Sequence, residues 1–224
     1  MKGQGWWSKV NDSLQLIISS LGLPWFKIFN NLLDGWNLLL VRFHRGLYEV
    51  LDYEATLELM DKGGKIASVR KYQKVRYLQN NIIAFQDQAW GDGKILINYK
   101  CSPGFTVDTY RSGFKNYILI SLREVKKQGE IDEFNINWDI HQGFLRPTGF
   151  WASEISHYTD KIKMRVIFPK ARPQLHATVM EKNRQRTITL NKDYFLHLPD
   201  GKWEVTWVKN RPKLYEQYIL RWEW

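Results

Sequence analysis

The sequence predicts a mainly β chain: an antiparallel β-sandwich of about ten or eleven strands, preceded by an N-terminal amphipathic helical hairpin. Three observations carry this. Beyond residue 49, apolar and polar residues alternate in short runs, the period of half-buried strands. Turn-forming Gly, Pro, Asn and Asp clusters interrupt those runs roughly every 8–15 residues, the spacing of sandwiches and barrels. Before residue 49 the apolar residues step by three and four instead, the period of one helix face. No helix-length period interrupts the strands, which argues against βαβ units. The expected division is a helical region at 1–48 and a β-domain at 49–224. A candidate subdivision falls near 142–148, where His141-Gln142-Gly143 and Arg146-Pro147-Thr148-Gly149 form the most loop-like stretch.

In the first expected helix Trp7, Val10, Leu14, Ile17, Ile18 and Leu21 share a face. Gly22 ends it, and Pro24 stands where a second helix would begin, at a first-turn position proline tolerates. The second helix aligns Trp25, Ile28, Phe29, Leu32, Trp36, Leu39, Leu40, Phe43 and Leu47, with Lys27, Asn30, Asn31 and Asp34 on the polar side. The uncharged run Ser13–Phe26, about 14 residues, is short of the roughly 20 a spanning helix needs. No Ala-x-Ala site follows it, so neither a span nor a signal peptide is expected.

The strands follow in order. Tyr53, Ala55, Leu57 and Leu59 alternate with Glu54, Thr56 and Glu58, and Lys62-Gly63-Gly64 turns the chain into a long strand from Lys65 to about Leu78. Ile82–Phe85 is a short apolar run, Gly91-Asp92-Gly93 is a turn, and Ile95–Cys101 is the next strand. Tyr117–Leu122 has apolar residues at both parities, which predicts a central strand covered on both sides. Phe134, Ile136, Trp138 and Ile140 point one way and Glu133, Asn135, Asn137 and Asp139 the other. Trp151–Ser156 is a weaker strand. Lys161–Phe168 is the clearest, with Ile162, Met164, Val166 and Phe168 inward and Lys161, Lys163 and Arg165 outward. Leu175–Val179 and Arg186–Leu190 form an expected hairpin, and Trp203–Trp207 and Leu214–Trp224 complete the domain.

A net charge of +10, from 33 basic and 23 acidic residues, favours a polyanionic partner: nucleic acid, anionic lipid or an acidic protein face. The single cysteine, Cys101, excludes an intrachain disulfide and fits a reducing cytoplasm. Its place in the alternation of Ile95, Ile97 and Tyr99 makes it a small core residue. The five histidines show neither His-x-His nor His-x-x-x-His spacing, so no metal site is expected. Phosphate-loop and nucleophile-elbow patterns are lacking, and no catalytic residue, cofactor or small-molecule substrate is selected.

Three sets of residues remain. Trp25, Phe29, Trp36 and Phe43 form an apolar stripe suited to docking on a protein partner, a second copy or a membrane surface. Residues 1–45 carry five basic and two acidic side chains, fewer cations than surface-bound helices usually show. Arg70, Tyr72, Lys74 and Arg76 share one strand face, an aromatic among cations, as single-stranded nucleic acid requires. The Lys161–Arg165 face is also basic, and Glu133 and Asp139 on a neighbouring strand are expected to offset it. Asp87, Trp90 and Asp92 mark a polar loop, Gln86–Gly93, that could hold a cation or line a sugar site, although its glycines are better explained by turn geometry. The leading expectation is a non-enzymatic binding or interaction protein, cytoplasmic or peripheral to a membrane, acting through its N-terminal helices. A nucleic-acid-binding β-domain, a membrane-perturbing effector and an enzyme of unidentified type are the alternatives.

Overall fold

Asp61 and Gly64 close the first hairpin. The Asp61 carboxylate accepts from the backbone N–H groups of Gly63 and Ile66, both at 2.7 Å. Gly64 takes φ +65°, and a side chain there would run into the Phe144 backbone carbonyl. The structure, a computed structural model, describes residues 46–173 and 176–224. The expected N-terminal hairpin lies outside these residues except at its end, where Leu47 stands in a bend rather than a helix and Tyr48 opens a strand. Those described form one compact unit.

The strands in chain order are β1 (Tyr48–Leu59), β2 (Ile66–Tyr77), β3 (Ile82–Ala89), β4 (Lys94–Ser102), β5 (Phe105–Ser112), β6 (Lys115–Lys126) and β7 (Ile131–His141). Then come β8 (Thr148–Glu154), β9 (Lys161–Phe168), β10 (His176–Glu181), β11 (Arg186–Thr189), β12 (Phe195–His197), β13 (Trp203–Asn210) and β14 (Gln217–Glu223). They build three sheets: a seven-stranded one in the order β12-β13-β9-β1-β2-β7-β4, a four-stranded one, β11-β10-β14-β8, and a three-stranded one, β3-β6-β5.

The mainly β expectation holds, and three details are corrected. There are fourteen strands among the described residues, because β5, whose residues are all exposed, and the three-residue β12 carry no burial alternation to read. Two smaller sheets take the place of a single second layer. One pairing is parallel: β1 lies beside β9, with Leu57 next to Val166.

The inner face of the large sheet follows its alternation. Ile162, Met164, Val166 and Phe168 are wholly buried, and Lys161, Lys163 and Arg165 point the other way. Leu57 lies between Val69 and Val166, and Val166 next to Val205, one apolar row across four strands. Fully burying such a side chain contributes about 1.5–3 kcal/mol. The four-stranded sheet packs on one part of this face through Trp222, whose ring is 5.6 Å from Phe168 and 5.9 Å from Phe144. The three-stranded sheet packs on another part through Phe85, stacked at 4.0 Å on Phe134 and 5.1 Å from Tyr48. Each small sheet covers only its own stretch, and a cleft opens between them.

Candidate binding cleft

The cleft has the large sheet as its floor and a small sheet on each side. Tyr53, Lys71, Gln73 and Trp138 form the floor. One wall carries Ala84, Gln86, Gln88, Tyr117 and Leu119 from β3 and β6, with Trp90 just beyond β3. The other carries Trp151, Ala152 and Glu154 of β8, and Ser156, His157 and Thr159 after it. The cleft encloses about 380 Å³.

At its base lies a buried ion pair. On β2, Ala67, Val69, Val75 and Tyr77 face inward, and so do Lys71 and Gln73 between them. The Lys71 ammonium donates to Asp87 Oδ1 and, at 3.1 Å, to the Gln88 carbonyl; it sits 5.0 Å from the Trp138 ring centroid. Tyr99 donates its hydroxyl to Asp87 Oδ2 at 3.0 Å. Lys71 and Asp87 are 5% and 2% exposed, so each needs the other: an unpaired charge at that depth is prohibitive. Burial pulls the Lys71 pKa down, but the Asp87 carboxylate outweighs it and holds the ammonium above its ordinary value. Burial, then the Asp87 charge, push the Tyr48 and Tyr99 hydroxyls well above the usual phenol range. These groups stay in their neutral-pH forms, which suits hydrogen bonding rather than proton transfer.

A second ion pair joins the walls. Lys115 of β6 donates to both Glu154 oxygens at 2.8 Å, with its ammonium 5.3 Å from the Trp90 centroid and 5.8 Å from that of Phe114. At the far end His157 stacks on Tyr48 at 4.1 Å and has Ser156 Oγ 3.1 Å from Nδ1; burial lowers its pKa and keeps the ring neutral. Two carbonyls along β3 are capped by side chains: Tyr48 donates to Gln86 O at 3.4 Å, and Lys71 to Gln88 O.

The cleft gathers some of the residues singled out in the sequence and not others. Asp87 is not in a loop: β3 runs through Gln86, Asp87 and Gln88 to Ala89, and Asp87 points into the protein. A run of alternating burial extends the apolar segment Ile82–Phe85, because Asp87 takes an inward position with a lysine opposite. Trp90 lines the wall. Asp92 lies in the exposed turn before β4 and borders a neighbouring depression with Phe144 and Phe150. Arg70, Tyr72, Lys74 and Arg76 do share the outward face of β2. Three of them have carboxylate partners: Glu58 for Arg70 at 3.1 Å, Glu133 for Lys74 at 2.9 Å and Glu49 for Arg76 at 2.9 Å. The Lys161–Arg165 face is offset by Asp52, Glu54 and Glu204 of β1 and β13. That corrects the expected partners, since β7, which carries Glu133 and Asp139, neighbours β2 and β4 instead. Trp25, Phe29, Trp36 and Phe43 lie outside the described residues.

No sequence motif marks Lys71, Gln73, Tyr117, Leu119, Trp138 and Trp151 as site residues. Their signal was present as broken patterning: polar residues at inward positions of β2, and apolar residues at both parities of β6. The second parity of β6 is not core. Ile118, Ile120 and Leu122 are buried, while Tyr117 and Leu119 are half-buried in the cleft wall, which corrects the expectation of cover on both sides. Cys101 is half-buried against the core. Among the described residues no group of three or more His, Cys, Asp or Glu could hold a metal, and no helix is long and apolar enough to cross a membrane.

No protein-family model matches the chain, and no curated protein matches it. Solved structures do resemble it in part. The M1 zinc metallopeptidase from Deinococcus radiodurans has a TM-score of 0.47 at 11% identity, over 77% of this chain and 42% of that one. A mutant of a two-domain M1 zinc metallopeptidase bound to L-tryptophan has a TM-score of 0.49 at 10% identity, over 79% and 43%. The chain spans less than half the length of these structures. At such identities and scores the likeness defines neither an activity nor a site.

Proposed function

We propose that the chain is a non-enzymatic binding protein: its β-domain receives a ligand in the cleft, and its N-terminal segment docks on a protein partner, a second copy or a membrane surface. The observation that supports the cleft's part most is the state of its ionisable groups. Lys71 is paired with Asp87, Lys115 with Glu154, and the phenols are held protonated. A lysine kept as its ammonium is a poor nucleophile, and a phenol that stays protonated is not available as a base. Half-exposed aromatic rings beside paired charged groups are the lining of a recognition site. The N-terminal part rests on the apolar stripe of Trp25, Phe29, Trp36 and Phe43.

The test of docking is Trp25→Ser with Trp36→Ser in the full chain, read by sedimentation and by flotation with anionic and neutral vesicles. Loss of self-association or of vesicle binding at unchanged thermal stability supports docking. A wild type that is monomeric and lipid-blind, with a double variant that unfolds, makes the stripe part of the core and ends that half of the reading.

A further inference from the structure

Resting on the reading of the cleft as a binding site, we propose that its ligand is a neutral saccharide, with a pyranose ring laid against the aromatic walls. The walls offer such a ring two kinds of surface. Trp90 and Tyr117 on one side are half-buried, and Trp151 on the other is 9% exposed. Indole and phenol faces carry the negative end of the ring quadrupole. The axial C–H groups of a pyranose carry a partial positive charge and form the matching apolar patch.

The polar groups between those rings suit hydroxyls. Gln73 and Gln88 supply amides that donate and accept at once, as vicinal hydroxyls do. Glu154 uses both oxygens on Lys115 but keeps 27% of its side chain exposed, so lone pairs remain open at the mouth.

Charge and shape select against other ligands. Each cationic group lining the cleft is matched by a carboxylate, Lys71 by Asp87 and Lys115 by Glu154. An ionic ligand would have to break a pair or bury a charge without one, whereas a neutral polyol disturbs neither pair. An extended peptide would add to a sheet edge through backbone bonds. The β3 carbonyls of Gln86 and Gln88 are already taken by Tyr48 and Lys71, so that mode is closed along this wall. A volume of about 380 Å³ fits a short saccharide and lies at the small end of the roughly 300–1,000 Å³ of ligand pockets.

The experiment titrates the full chain with three soluble series: β-linked glucose, α-linked glucose and N-acetylglucosamine oligomers of two to six units. An acetyl-capped tetrapeptide of Ala and Tyr is the comparison probe. Tryptophan fluorescence and calorimetry give the affinity, and thermal melting confirms the fold of each variant. The expected result is saturable binding of at least one series, weakened about tenfold by Gln88→Ala, which removes an amide of the cleft wall. Trp90→Ala, at a half-exposed position that the core does not need, should weaken it at least as much. No saturable binding by any series, or affinity unchanged in both variants, overturns the proposal. Binding of the tetrapeptide alone, lost in Trp90→Ala, overturns the saccharide and leaves the binding reading standing.

Discussion

Replacing Lys71 with Met should destabilise the fold by about 3–5 kcal/mol, the usual cost of removing one partner from a buried ion pair. Met keeps most of the aliphatic stem and loses the ammonium, with its place 5.0 Å from the Trp138 ring, so the loss is mainly electrostatic rather than a cavity. The Asp87 carboxylate, 2% exposed, is left with the Tyr99 hydroxyl at 3.0 Å, and the Gln88 carbonyl loses its donor. For a chain of this size each kcal/mol lowers the melting temperature by about 2–4 °C, so the shift should be about 6–20 °C. Adding Asp87→Leu should recover about half of it or more, because apolar replacement of both members of a buried pair is often neutral. The unpartnered Tyr99 hydroxyl would keep a residue of about 1–3 kcal/mol. Urea denaturation of the wild type, both single variants and the double variant closes the cycle. The raised Lys71 pKa adds a pH signature: its contribution is complete below the ordinary lysine value of about 10.4 and is lost as pH rises through the folded value. A Lys71→Met variant within about 1 kcal/mol of wild type, with no recovery on adding Asp87→Leu, would refute the buried pair as the base of the cleft.

Val166→Asp puts a charge between Leu57 and Val205 in a wholly buried row and should cost about 3–5 kcal/mol by urea denaturation. His157 has a lowered pKa, so the folded state binds fewer protons there than the unfolded chain; stability should fall as pH drops through about 6.5 toward the folded value, and His157→Gln should flatten that slope. Changing Arg70, Lys74 and Arg76 together to Gln should leave any affinity for a random single-stranded oligonucleotide, and its salt slope, nearly unchanged, because all three cations already have carboxylate partners; a slope reduced by about two units or more would show that they neutralise phosphates instead.

Alternation determined the strands and their buried faces from sequence alone, because a period of two assigns each side chain to a face without reference to any neighbour. Ile162, Met164, Val166 and Phe168 read correctly on that ground, and so did Arg70, Tyr72, Lys74 and Arg76 on the outside of β2. Which strand lies beside which is not periodic information. The pairing of β1 with β9 joins residues more than a hundred positions apart, and it alone decides that Asp52 and Glu54 offset Lys161 and Lys163. The same holds for the cleft. Lys71 at an inward position of β2 and Asp87 at an inward position of β3 each read as a flaw in an apolar pattern. Only the packing of the three-stranded sheet on the large one brings ammonium and carboxylate together, where the low dielectric makes each the condition for burying the other.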